Sequence, residues 1–477
     1  MLNLKNKKVT VMGLGLYEEG SGISAAKFLL SQVARVTVTD LKTEDQLRDQ
    51  IKRLGGGAKK IKWVLGRHRE ADFKNVDLIV KNPGVPRGSK YLAIARKNKI
   101  PIETDISLFF QLSDRRRIIG VTGTRGKSTT ATLIYEFIKA SGRPAALGGN
   151  IKQSPLAQLA QIKKSDAVVL ELSSWLLESL EPIKQSPHIA ALTNIYPDHL
   201  NTYSGLEDYV EAKKNIFKFQ TPQDYIILNR DNVYTRKMGR EVIGRRYWFS
   251  LREFKKENGC FVSGGRLIFR SNGREQIICP VSAVRLLGEH NLANILAAAA
   301  AAMVAGVKPV AIRAVLKKFK GIPDRLEFLK EIRGIKYYND TTSTTPEATL
   351  AALRALSTSS LRKGRPGGIK NIVLIAGGSD KGLDFNVLAK EIKRTCRAAV
   401  LFNDSGTKRL QPLISPGKLP SALAGNMADA VGLAKSFARR GDIILLSPAC
   451  ASFGLFKNEF DRGDQFKDMV SQIKCIN

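Results

Sequence analysis

Short β-branched runs, each closed by small or polar residues and followed by a helical stretch, recur along this chain and constrain its fold more than any other feature. The first series reads "KKVTVMGLGL" (7–16), a helical "SAAKFLLSQ", "RVTVTD" (35–40) and "VDLIVKNPGVP" (76–86). A second opens at "RIIGVTGTRGKSTT" and continues through "AVVLEL" (167–172), "IAALTN" (189–194) and "DYIILNRD" (224–231), with "KGIPDRLEF" (320–328) as its exit. A third holds "IKYYND", "NIVLIAGGSDKG", "AAVLFND" and "DIILLSPACAS". Strands alternating with helices specify parallel sheets, and polar residues closing such strands stand where open α/β sheets place their ligands.

At 477 residues the chain exceeds one comfortable core. The expected architecture is α/β with three domains. They are a Rossmann-like domain over 1–108, a central P-loop ATPase-type domain over 109–322 and a Rossmann-like domain over 323–477. Hydrophobic residues make up 43% of the chain, as in a globular protein. The longest strongly apolar run, "ILAAAAAAMVAG" (295–306), is too short to span a bilayer and reads as a buried helix. The start "MLNLKNKKVTVMG" lacks the apolar core of a signal peptide, so a cytoplasmic location is expected.

Five scattered cysteines without C-x-x-C argue against a disulfide framework and a zinc site, and four histidines exclude a His-rich metal centre. The net charge is +34, which raises the question of a nucleic-acid partner. No basic run exceeds three residues ("RRR", 115–117) and no aromatic-interleaved basic stripe occurs, so a nucleic-acid groove is not expected.

"RIIGVTGTRGKSTTATLIYEF" is a strand, a glycine turn and a helix. Gly123 and Gly126 let backbone N–H groups converge on phosphate oxygens at a helix N-terminus, where the positive end of the dipole adds to the attraction. Lys127 can reach the β- and γ-phosphates, and Ser128 or Thr129 can ligate Mg²⁺. The spacing departs from G-x-x-x-x-G-K-[ST], since Gly123 lies too close to Gly126 and Gly120 one residue too far. Glu171 closes a buried strand, where a lone carboxylate is costly unless it is paired or holds a metal. In the first series, the glycine turn and Asp40 have dinucleotide-fold logic, but "GLGLYEEGSG" inserts residues where the third glycine should stand. By spacing alone, His199 and Lys213 would pass for a structural histidine and a solvated lysine.

The segments "GVTGTRGKST", "LELSSW", "NIYPDHL", "YVEAKKNIF", "GEHNLANILAA", "YYNDTTSTTPEA" and "LLSPACASFGLFKNEFDRG" occur in the order found in the Mur ligases. The chain resembles that family over essentially its whole length, and T-G-T-x-G-K-S-T is the family's own variant of the phosphate loop. These are ATP-dependent amide ligases of cell-wall peptide synthesis, and "SPACASF…FKN…RG" resembles the members that add D-glutamate to UDP-N-acetylmuramoyl-L-alanine.

The resemblance implies that Thr122, Gly123, Thr124, Arg125, Gly126, Lys127, Ser128 and Thr129 hold the ATP phosphates. It implies two Mg²⁺ sites, one at Ser128 and Glu171, the other at His199 and a carbamylated Lys213. Asn291 and Asn294 would face adenine, with Arg325 and Asp340 completing the nucleotide site. Leu16, Tyr17, Asp40, Asn82 and Gly84 would hold the uridine diphosphate, and Asn150 the sugar side. Thr344, Lys381 and Ser452 would hold the incoming amino acid, and cationic and hydroxyl donors suit a dicarboxylate. A monomer acting on small-molecule substrates is expected.

Thr342 stands where many relatives carry a lysine, and Glu459 where an aromatic usually follows "FKN". An acid facing the acceptor pocket would repel glutamate. Other readings are a Mur-type ligase with a different acceptor, a basic P-loop ATPase that binds nucleic acid, and a catalytically silent binding subunit.

Overall fold

The computed structural model describes residues 3–16, 19–151, 153–159, 161–162, 166–198, 202–361, 370–415 and 419–473. Two compact units divide the chain, one of residues 1–283 and 293–317, the other of 284–292 and 318–477.

The first unit contains two sheets. In the N-terminal sheet, β1 (Lys8–Met12), β2 (Arg35–Asp40), β3 (Lys62–Leu65), β4 (Leu78–Lys81) and β5 (Ile102–Glu103) lie in the order β3-β2-β1-β4-β5, all parallel. The strand order reverses between β1 and β4, so a crevice forms beyond their carboxyl ends, where open sheets take ligands. The third glycine of the turn arrives at position 22, inside the helix Ser21–Ser31: a Cβ there would lie 2.4 Å from the carbonyl oxygens of Gly13 and Leu14.

The larger sheet combines β6 (Ile118–Thr122), β7 (Ala145–Gly149), β8 (Ala167–Glu171), β9 (Ile189–Leu192), β10 (Tyr225–Asn229), β11 (Arg245–Ser250), β12 (Gly259–Ser263), β13 (Arg266–Ser271) and β14 (Arg274–Pro280). Its order is β14-β13-β12-β11-β10-β9-β6-β8-β7. Every pair from β7 to β12 is parallel, whereas β12–β13 and β13–β14 are antiparallel. Gly264-Gly265 and Asn272-Gly273 make these two reversals with all four residues at positive φ, the geometry of two-residue hairpin loops. The alternating strand–helix series did not anticipate this hairpin extension, although its G-G and N-G turn signals stand in the sequence.

The inner strands β6, β8, β9 and β10 are buried along almost their whole length, as in a sheet covered on both faces, whereas β14 is largely exposed. Val168, Leu170, Ala190, Leu192, Ile226 and Leu228 form its core with Phe109, Phe110 and Ile216. The helix Glu289–Val304 carries the alanine run, and Ala297 through Ala302 are fully buried, as the sequence implied.

In the second unit, β15 (Glu327–Ile332), β16 (Ile335–Asn339), β17 (Ile372–Ala376), β18 (Cys396–Phe402), β19 (Ser421–Ala424) and β20 (Ile443–Leu446) lie in the order β15-β16-β20-β17-β18-β19. All pairs are parallel except the β15–β16 hairpin. The two faces bury Leu374, Leu401 and Leu445 on one side and Val373, Val400 and Ile444 on the other. This unit is therefore a second α/β layer structure, as the strand pattern required.

Candidate functional site

Strand β6 delivers the chain into the glycine loop, and Lys127 begins a helix that runs to Ala140. Gly126 caps that helix in the left-handed region (φ 83°), and a Cβ there would lie 2.1 Å from Asn294 Oδ1. At Gly123, φ is 144° and a Cβ would meet Thr193 Oγ1 at 1.9 Å. Both glycines are thus demanded by backbone conformation and by close neighbours.

The neighbours also brace the loop. Thr193 Oγ1 donates to Arg125 O at 2.6 Å, Asn194 Oδ1 accepts from Arg125 N at 2.8 Å, and Thr124 N donates to Asn194 O at 2.8 Å. Thr193 and Asn194 follow β9, the strand beside β6, and local sequence reading did not single them out. Arg125 pairs with Asp198 at 3.2 Å, and Lys127 Nζ donates to the carbonyls of Gly123 and Thr124, both at 3.1 Å. Thr122 Oγ1 donates to Leu172 O, while Ser128 and Thr129 lie buried in the first helical turn.

Glu171 ends β8 on the other side of β6 and is 2% exposed. Asn150 Nδ2 approaches its Oε1 at 3.4 Å, but Oε2, also buried, finds no hydrogen-bond donor among the described residues. A buried carboxylate oxygen without a donor is costly to the fold, and a divalent cation is a partner that suits such an oxygen.

Lys213 enters from the helix Leu206–Lys214. Only 1% of it is exposed; its Nζ donates to Gly123 O at 3.1 Å, lies 3.4 Å from Thr122 Oγ1, and sits over the Tyr209 ring at 4.7 Å. Burial, reinforced by the neighbouring Lys127 ammonium, pushes its amine well below the usual lysine range, against the opposing pull of Asp198 and Glu171. Its neighbour Lys214 is pulled down by burial, the largest single influence on it, but its pairs with Glu211 and Glu241 together outweigh that and raise its pKa. Tyr209 hydrogen-bonds with Thr124 Oγ1, and burial pushes its phenol up to about 12. His199 lies outside the described residues.

At the N-terminal sheet, Asp40 Oδ2 accepts from Leu14 N and Oδ1 from Lys42 N, so its carboxylate shapes the turn after β1 and β2. Asn82 Oδ1 accepts from Gly84 N at 3.0 Å, and Leu16 is exposed. Tyr17 lies outside the described residues.

In the second unit, Asp340 is buried beyond β16. Its Oδ1 accepts from Leu326 N at 2.9 Å, and its Oδ2 accepts from the hydroxyls of Ser343 (2.6 Å) and Ser447 (2.7 Å). Burial pushes its carboxyl up to about 6 despite those bonds and the nearby Arg325 charge. Lys381 Nζ donates to Thr344 Oγ1 at 3.2 Å, and Ser452 is buried in the loop after β20. Asn291 donates to Leu287 O. Thr342 Oγ1 donates to Asp324 O, a local turn contact. Glu459 occupies the first position of the helix Glu459–Gln472, where an acid complements the helix dipole.

A glycine loop capping a helix after a parallel strand, with a buried carboxylate closing the adjacent strand, defines the phosphate-loop class of α/β proteins. Three family models match the chain: a Mur ligase MurD-like N-terminal domain over 7–104, a Mur ligase middle domain over 121–302 and a Mur ligase glutamate ligase domain over 324–450. The chain belongs to the Mur ligase family. It is 40% identical to the UDP-N-acetylmuramoylalanine–D-glutamate ligase of Roseiflexus sp., over 99% of this chain and 100% of that one. The enzyme of that name from Clostridium tetani is 36% identical over 98% and 97%. Among solved structures, UDP-N-acetylmuramate-alanine ligase of Thermotoga maritima shares the fold with a TM-score of 0.61 and 18% identity, covering 98% of this chain and all of that one. The pseudomurein peptide ligase type C of Methanothermus fervidus does so at 0.57 and 19%, with the same coverage.

Proposed function

We propose that this protein is an ATP-dependent ligase that joins D-glutamate to UDP-N-acetylmuramoyl-L-alanine. The observation that carries the reading is the convergence of Lys127, Glu171 and the buried Lys213 on one glycine loop, within a chain similar over its full length to enzymes named for that reaction.

In this reading the loop amides and the Lys127 ammonium hold the β- and γ-phosphates of ATP and stabilise charge on the phosphoryl group as it moves. The substrate carboxylate takes the γ-phosphoryl, giving an acyl phosphate and ADP. The amine of D-glutamate then attacks the carbonyl, and the tetrahedral intermediate collapses to amide and phosphate. Ser128 and Glu171 would hold one Mg²⁺, and His199 with Lys213 a second; bound there, Mg²⁺ supplies positive charge to the phosphoryl oxygens. A lysine that burial pushes toward its neutral form favours adding CO₂ and losing a proton, which makes it a carbamate with oxygen donors. By resemblance to the family, Asn291, Asn294, Arg325 and Asp340 are the residues expected to contact the nucleotide. Leu16, Tyr17, Asp40, Asn82, Gly84 and Asn150 take the nucleotide sugar, and Thr344, Lys381 and Ser452 the acceptor carboxylates.

Among the described residues, no helix is long and apolar enough to cross a membrane. We assign a monomer acting in the cytoplasm on soluble substrates. The test is phosphate release with ATP, Mg²⁺ and UDP-N-acetylmuramoyl-L-alanine, adding D-glutamate, L-glutamate or other amino acids singly. Release that requires both the nucleotide sugar and D-glutamate is expected. Release with another amino acid only would overturn the acceptor, and release stimulated by nucleic acid instead would overturn the reaction.

A further inference from the structure

Arg87 lies in the loop that follows β4, five residues beyond Asn82, and its side chain leaves the N-terminal sheet for the larger one. Its Nε donates to Glu178 Oε2 at 2.8 Å and its Nη2 to Glu178 Oε1, a two-point pair. Its Nη1 reaches Asp208 Oδ2 at 3.2 Å, and the guanidinium stacks over the Tyr203 ring at 4.5 Å. Tyr203 donates to the same Glu178 Oε1 at 2.7 Å, and Asp208 is fixed in turn by the backbone N–H and hydroxyl of Ser204. Every polar end of this cluster is engaged, and Tyr203 beneath it is 3% exposed.

The elements joined are those that carry the proposed chemistry. Glu178 ends the helix Ser174–Glu178, which begins three residues after Glu171. Asp208 lies in the first turn of the helix that carries Lys213. The loop bearing Arg87 continues directly from Asn82 and Gly84.

We propose that Arg87 is a positioning residue: a fork that locks the nucleotide-sugar loop of the N-terminal sheet onto the helix that follows Glu171 and the helix that carries Lys213, holding the substrate carboxylate in register with the ATP γ-phosphate. The proposal rests on the ligase reading above. A lone half-exposed ion pair contributes little, but a two-point fork shared with a second carboxylate and an aromatic face has the geometry that makes such contacts count. Arg87 touches no substrate in this account; it sets where one sits, and an error of about 1 Å in such placement costs on the order of a hundredfold in rate.

Arg87→Met should lower the rate of acyl-phosphate formation about tenfold or more and raise KM for the nucleotide sugar. KM for ATP should stay within about twofold, because the larger sheet alone builds the phosphate loop. Arg87→Lys keeps the charge but loses the fork and the stacking, so it should resemble Arg87→Met. Arg87→Met combined with Glu178→Gln should be no slower than Arg87→Met alone. Amide hydrogen exchange in residues 82–88 and 202–208 should quicken together in Arg87→Met, a readout that needs no turnover.

Full activity in Arg87→Met, complete rescue by lysine, or independent multiplication of the two single effects would overturn the proposal. If Arg87→Met fails to fold, Asp208→Asn tests the same fork with the Glu178 pair intact, and an unchanged rate and exchange pattern there would refute it. Wild-type enzyme assayed alongside separates the two claims. No turnover in the wild type defeats the ligase reading, whereas wild-type turnover with unaffected variants defeats only the fork.

Discussion

Replacing Asp340 with asparagine should make the second unit more stable while making the enzyme worse, and the gain should grow with pH. The folded carboxyl holds its proton up to about pH 6, against a reference value of 3.8, because it is fully buried. Folding therefore takes up a proton between those values, and stability falls as pH rises through that window. With one pKa unit equivalent to about 1.4 kcal/mol, the cost to the folded state is about 1.5 kcal/mol at pH 5 and about 3 kcal/mol at pH 8. Asparagine does not titrate, and it can keep the local bonds. Its Oδ1 still accepts from Leu326 N, and its two amide hydrogens can serve the Ser343 and Ser447 hydroxyls once these rotate to accept. Ser447 already has Thr349 Oγ1 within 3.0 Å as an alternative partner for its proton.

The assay is urea unfolding of wild type and Asp340→Asn at pH 5 and pH 8, following the transition of the second unit. The stability difference should favour the variant and widen by about 1.5 kcal/mol between the two pH values, other titrating groups cancelling in the subtraction. A difference that stays constant or shrinks refutes a raised carboxyl at this position. Turnover should fall in the same variant, because the proposed nucleotide site loses its charge.

The other tests address the phosphate loop. Lys213→Ala should abolish phosphate release, with partial recovery in high bicarbonate and a short-chain carboxylic acid; full activity without them would remove Lys213 from the metal site. Gly126→Ala places a methyl 2.1 Å from Asn294 Oδ1 at a φ of +83°, a conformation that alone costs an L-residue about 1–2 kcal/mol. ATP affinity measured by titration should fall by about tenfold or more, and unaltered binding would contradict the loop geometry. Lys127→Ala should end ADP production driven by the nucleotide sugar, and persistent ADP release would show that another group handles the phosphates.

The strand–helix alternation that implies parallel sheets, and the glycine loop, could be read directly from the sequence because each is a pattern local in the chain. Lys213 could not be picked out by spacing. A lysine in "EDYVEAKKNIF" looks solvated until Tyr209, Ala212 and Lys213 are seen to share the buried side of their helix, with Ile216 continuing the core beyond it. That stripe of i, i+3 and i+4 positions was available to a periodicity argument. Thr193 and Asn194 are harder, since they matter only because β9 lies beside β6, a pairing of distant segments. Arg87 is harder still: its partners are 91 and 121 residues away and nothing in "GVPRGSK" announces them. The concern over Glu459 arose from comparison with relatives, and its place at a helix start supplies a structural reason for an acid there.

Gly22 bears on how such turns vary. The contact it permits is defined in space, at the carbonyls of Gly13 and Leu14, and the number of residues between the second glycine and that contact is not fixed by it. The length of the intervening segment is set instead by other contacts, Leu16 O accepting from Gln50 and Glu19 O from Ser154 N. A search that demands fixed spacing will overlook chains built this way.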